Sequence, residues 1–206
     1  MSRPSDNVQT VLKTVVFFDI CSSTTILEDL LRTENQRRWR NLHIKLKQFL
    51  VSESRHTPFE IYKFLGDGWI LLFDQKSISG RAMMEFLDSI CHEYAWLFHN
   101  GICEVLEGNS HQVGLTFGID TGTLVKFIMN QRVEYVGRAL NVAARLQAAV
   151  KQEYKKPEGK LLISKNAFVS LRLSNIRKYQ GKLVERELRN ISDGKKYQAR
   201  KIIVSG

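Results

Sequence analysis

The sequence has little cysteine: Cys21, Cys91 and Cys103 are an odd number, widely spaced and without a CxxC pair. That argues against a disulfide framework and against a zinc site, and it fits a reducing compartment. No run approaches ~18 apolar residues, the length of a membrane-crossing helix, and the N-terminus lacks the apolar stretch of a signal peptide. No internal repeat or low-complexity tract is apparent. Acidic residues are the scarcer charge, 21 Asp+Glu against 31 Lys+Arg for a net +10. Such a surplus suits an anionic partner, whether a triphosphate, a nucleic acid or an anionic membrane surface, and charge alone does not choose among them. With 206 residues, 43% of them hydrophobic, one well-buried core is expected, and residues 1–206 read as a single soluble, cytoplasmic domain with no membrane contact.

Thr14 to Ile20 is a short β-rich run that delivers Asp19 near its end. Cys21-Ser22-Ser23-Thr24-Thr25 follows and leads into a long helical stretch, in which Trp39, Leu42, Leu46, Phe49 and Leu50 recur at spacings of three and four. Phe59 to Leu65 and Trp69 to Phe73 read as a hairpin with Gly66-Asp67-Gly68 at its tip. Met83, Phe86, Leu87, Ile90, Tyr94 and Leu97 then keep helical spacing until Gly101. Two strand-like runs surround Asp120-Thr121-Gly122, Arg138 to Val150 is helical, and strand-like pieces near 161–164, 180–189 and 196–204 complete the chain. The order β-α-β-β-α-β predicts an α+β, ferredoxin-like or palm core. That fold hosts many functions, so the site has to carry the functional argument.

Asp19 at a strand end and Asp67 at a hairpin tip can adjoin in a palm-like sheet. Hard divalent cations prefer carboxylate oxygens, and a two-metal site shares acids between ions roughly 3.5–4 Å apart. The backbone N–H groups of Ser22, Ser23, Thr24 and Thr25, at the start of the helix, would hold phosphate oxygens beside it. Asn141 and Arg145 share one helix face, where an amide would orient a ribose and a guanidinium would neutralise charge growing on an α-phosphate. Taken singly, each of these residues also fits an ordinary cap, turn or surface position. Arg37-Arg38-Trp39-Arg40 alternates helix faces, which places Trp39 in the core and the arginines in water, and no nucleic-acid partner is expected from it.

Together the pieces resemble a known family. Phe17 to Thr24, Tyr62 to Gly68, Gly118 to Gly122 and Gly137 to Leu146 look like the ordered motifs of the class III adenylate and guanylate cyclases, from about residue 13 to 150. The resemblance implies that Asp19 and Asp67, assisted by the Ile20 carbonyl, bind two divalent ions, Mn²⁺ or Mg²⁺. It makes Asn141 and Arg145 the transition-state pair. It also implies a homodimer whose sites lie at the interface, metals on one protomer and the Asn/Arg pair on the other. A C-terminal basic residue binds the terminal phosphates in this family. Lys182, Arg189, Lys195 and Lys196 offer themselves, and Leu188-Arg189-Asn190 favours Arg189.

The two base-choosing positions of that family fall on Lys63 and Glu134, a combination typical of neither adenylate nor guanylate cyclases. Lys63 would donate to a carbonyl or ring nitrogen and Glu134 would accept an N–H, which suits uracil, cytosine or adenine. Uracil is preferred, because Glu134 can accept the imino hydrogen that cytosine lacks. With the Gly-Asp-Gly-Trp hairpin at 66–69 and no attached receptor or transmembrane segment expected, the chain is similar to the short pyrimidine cyclases of bacterial anti-phage Pycsar defence. Those enzymes make cyclic UMP or cyclic CMP as an alarm for a separate effector. An adenylate or cytidylate cyclase, or a nucleotide-binding module without catalysis, are the other readings.

Overall fold

Side-chain alternation along one strand organises the whole molecule. In β1 (Gln9–Ile20), Val16, Phe18 and Ile20 enter one buried cluster while Val15 and Phe17 enter another on the opposite face of the sheet. The computed structural model describes residues 8–108, 113–153, 158–188, 190–191 and 196–204, with the side chains of 151–153 excepted. The remaining strands are β2 (Phe59–Phe64), β3 (Gly68–Asp74), β4 (Leu115–Met129), β5 (Arg132–Val136), β6 (Lys160–Ser164), β7 (Lys182–Glu187) and β8 (Lys196–Ile203). They join one sheet in the order β2-β3-β1-β4-β6-β8-β7, with β5 pairing on β4.

Helices α1 (Ser23–Arg32), α2 (Gln36–Glu53) and α3 (Gly80–Gly101) cover the face of Phe18, Trp69 and Phe117. Helix α4 (Arg138–Glu153) lies on the other face, where Ala139 and Ala143 meet Val15, Ile70 and Leu72. The short α5 (Lys165–Ser170) returns to the first face through Ala167 and Phe168. The segment β1-α1/α2-β2-β3-α3-β4, with antiparallel order β2-β3-β1-β4, is the expected ferredoxin-like core. Strand β6 adds to β4 in parallel and carries β8 and β7 outward. Among the described residues no helix is long and apolar enough to cross a membrane, and Cys21, Cys91 and Cys103 are all free thiols.

Two expectations are corrected. The long helical stretch after Thr25 is two helices, because Glu34 adopts φ 57 and closes α1. Asn35 N–H donates to Leu30 C=O at 2.7 Å and Glu34 N–H to Leu31 C=O at 3.2 Å, the paired bonds of a Schellman ending. Asp120-Thr121-Gly122 lies inside β4, not between two strands, since its pairing with Val15, Thr14 and Lys13 of β1 continues unbroken. Gly122 marks a close helix approach there: a Cβ on it would stand 3.2 Å from that of Ala139. Trp39 is buried as expected and Arg37 and Arg40 are exposed, while Arg38 donates to the C-terminal carbonyl of α3 at Gly101.

Candidate active site

The two acids meet where β1 ends and β3 begins. Asp19 is the register partner of Gly68, and the Ile20 N–H donates to the Asp67 carbonyl at 3.1 Å. Gly68 makes this approach possible, because a Cβ there would fall 2.1 Å from the Phe18 carbonyl oxygen. Gly66, at φ 97, supplies the left-handed residue that turns the hairpin. Ser23, buried at the start of α1, donates its hydroxyl to Asp67 Oδ2 at 2.5 Å. Its side chain is therefore committed to orienting an acid rather than to a phosphate. Ser22 turns the chain into α1 with φ 54, and Thr24 is exposed beside it.

A residue not singled out in the sequence reaches Asp19 from the other side. The Gln147 amide donates to Asp19 Oδ2 at 3.3 Å and to Thr116 Oγ1 at 2.9 Å, and the Thr116 hydroxyl donates to the Asp19 carbonyl at 3.4 Å. Gly118 lets α4 come that close, since a Cβ on it would lie 2.0 Å from the Ala143 carbonyl oxygen and 2.3 Å from the Gln147 nitrogen.

Asn141 and Arg145 sit on the exposed side of α4, turned away from the buried face that carries Ala143 and Gln147. They are brought together on one face but not to Asp19 and Asp67 of the same chain. Among the described residues neither side chain makes a hydrogen bond or an ion pair.

Lys63 and Glu134 do meet. A register shift in β2 between Ile61 and Lys63 lets Tyr62 and Lys63 both reach the β5 side of the sheet. Lys63 Nζ donates to Glu134 Oε2 at 2.7 Å and the Tyr62 hydroxyl to the same oxygen at 2.6 Å. The Lys63 bond, then that of Tyr62, holds the Glu134 carboxyl below the usual carboxylate range. Tyr62 in turn accepts the Tyr135 N–H at 3.0 Å, fixing the arm that carries Glu134. The sequence pattern missed Tyr62 because strict alternation would turn it away from Lys63.

Arg189 lies outside the described residues, as does Lys195. Lys196 is ion-paired with Glu185 at 3.8 Å. A cationic neighbourhood is present elsewhere: the Lys201 ammonium is pushed down by burial first, then by Lys160, Lys182 and Arg186.

Two carboxylates and a backbone carbonyl at one strand end form an all-oxygen donor set suited to Mg²⁺ or Mn²⁺. No group of three or more His, Cys, Asp or Glu gathers among the described residues.

No protein-family model matches the sequence, and no curated protein does. Solved structures do match in shape. The adenylyl cyclase CyaB from P. aeruginosa superposes with a TM-score of 0.67 at 18% identity, covering 96% of this chain and 96% of that one. The guanylyl cyclase Cya2 gives 0.70 at 14% identity over 94% of this chain and 92% of that one. A bacterial light-regulated adenylyl cyclase gives 0.65 at 18% identity over 95% of this chain, which spans only 52% of that longer protein. The chain thus has the α+β fold of nucleotide cyclase catalytic domains.

Proposed function

We propose that this chain is a class III nucleotide cyclase that converts a nucleoside triphosphate, preferably UTP, into its 3′,5′-cyclic monophosphate and diphosphate. The observation that carries this reading is the junction of Asp19 and Asp67 through the Gly68 register and the Ile20–Asp67 bond, on a sheet of cyclase order. In the reaction the substrate's 3′-oxygen bonds to the α-phosphorus, the bond from that phosphorus to the oxygen bridging the β-phosphate breaks, and diphosphate leaves. The hydroxyl proton passes to solvent. Asp19, Asp67 and the Ile20 carbonyl would hold two divalent ions, whose chemistry is to acidify the attacking hydroxyl and neutralise phosphate charge.

The chain's own residues do the rest. Ser23 fixes the Asp67 carboxylate, and the first turn of α1 offers N–H groups to phosphate oxygens. Asn141 orients the ribose and Arg145 offsets charge growing on the α-phosphate. Because these two point away from their own acids, a homodimer is proposed in which α4 of one protomer completes the site of the other. Ile128, Met129, Val133 and Val136, apolar and exposed on the β4–β5 arm, support such a contact.

For the base, the Lys63–Glu134 pair keeps further ammonium hydrogens and a second carboxylate oxygen to offer, matching uracil O4 and N3–H. Adenine satisfies the same donor and acceptor, and adenylyl cyclases are among the structural neighbours, so an adenylate cyclase is the second reading. A cyclic pyrimidine product would act as a signal for a separate effector in anti-phage defence. The reading is tested with Asp19→Ala and Asp67→Ala. Both are expected to keep the wild-type circular dichroism and lose cyclic product, and full activity in either contradicts the mechanism.

A further inference from the structure

We infer that Gln147 is a positioning residue that aims the Asp19 carboxylate at its metal, an inference that rests on the cation-binding reading above. An ionised carboxylate only accepts hydrogen bonds, so the Gln147 group facing Asp19 Oδ2 at 3.3 Å is the amide NH₂. Its second hydrogen goes to Thr116 Oγ1 at 2.9 Å, and the Thr116 hydroxyl is itself turned toward the Asp19 carbonyl at 3.4 Å. Gln147 is only 9% exposed and Thr116 is fully buried, so both donors are held away from water beside the half-buried Asp19. A buried glutamine side chain has several rotatable bonds to immobilise, and here both amide hydrogens are used on or beside one acid.

The approach is built in by Gly118, where any side chain would strike the α4 backbone at Ala143 and Gln147. The amide is also the fitting chemistry. A glutamate at 147 would set a like charge against Asp19, whereas the amide NH₂ offers it a donor without a charge. Partners that orient a metal ligand in this way change metal affinity by about 10–100-fold when removed. The helix that presents Asn141 and Arg145 outward therefore also holds Asp19 from its inner face.

The test reads Mn²⁺ binding rather than turnover. Free Mn²⁺ is counted by electron paramagnetic resonance with 3′-deoxy-UTP or 3′-deoxy-ATP present, neither of which has the attacking hydroxyl. Gln147→Met, which keeps the volume and removes the donor, is expected to weaken Mn²⁺ binding about tenfold or more while the thermal midpoint stays near that of wild type. Unchanged Mn²⁺ affinity in the folded variant overturns the positioning role. Should Gln147→Met not fold, Gln147→Asn, which draws the amide back by one methylene, is expected to give the same loss, and unchanged affinity there overturns it equally. Mn²⁺ binding that Asp19→Asn leaves untouched overturns the cation site itself, and the role of Gln147 with it.

Discussion

Lys63 and Glu134, 71 residues apart in the sequence, meet at 2.7 Å through a carboxylate oxygen that also accepts the Tyr62 hydroxyl. The Lys63 bond is the largest cause of the lowered Glu134 pKa, followed by Tyr62. A depressed carboxyl contributes stability that is complete above its unfolded value of about 4.3 and lost as pH falls through the lower folded value. In Lys63→Met the Glu134 carboxyl is expected to titrate at higher pH, followed by carboxyl-carbon NMR. An unmoved titration would show that the contact is absent in solution.

The same pair is proposed to choose the base. Exchanging the two, as Lys63→Glu with Glu134→Lys, is expected to reorder kcat/KM among the four triphosphates. If the ranking stays the same, neither side chain touches the base.

Arg145 is exposed and on the side of α4 away from Gln147, and the proposed homodimer would give it to the partner's site. Arg145→Ala is expected to lower kcat by about 10²–10³-fold with little change in triphosphate affinity, as for other preorganised donors to developing charge. Mixing Arg145→Ala with Asp19→Asn protomers should restore activity, because each mixed dimer holds one intact site. Failure to complement would mean that the site is assembled within one chain.

Asp120 is 2% exposed, and burial pushes its carboxyl up against the opposing effect of the Ser164 hydroxyl that donates to it. The native state therefore keeps this proton to a higher pH than the unfolded chain. Stability falls as pH rises from about 4 to the raised value and is not lowered further by this group above it. Asp120→Asn, which still accepts from Ser164, is expected to raise the thermal midpoint relative to wild type more at pH 7 than at pH 4. The reverse trend would contradict the protonation assignment.

What was legible in the sequence follows from how local each signal is. Asp19 and Asp67 were readable because a β-rich run and a Gly-x-Gly turn announce a strand end and a hairpin tip without reference to distant residues. The break at Glu34 was not, since the left-handed position that usually calls for glycine is filled by a glutamate. Asp120-Thr121-Gly122 resembles a turn locally, and only its pairing with β1 keeps it extended. Tyr62 joins Lys63 through an irregularity of register that alternation does not encode. Gln147, in an alanine-rich helix, has the composition of a surface position. Its burial depends on Gly118, a residue of another element that admits α4 to the sheet.

The central claim is tested most directly by incubating the purified protein with Mn²⁺ and each of the four ribonucleoside triphosphates and identifying the products by mass spectrometry. The account predicts a 3′,5′-cyclic monophosphate with release of diphosphate, formed fastest from UTP and absent with Asp19→Asn. No cyclic product from any of the four, or one that persists in Asp19→Asn, would contradict it.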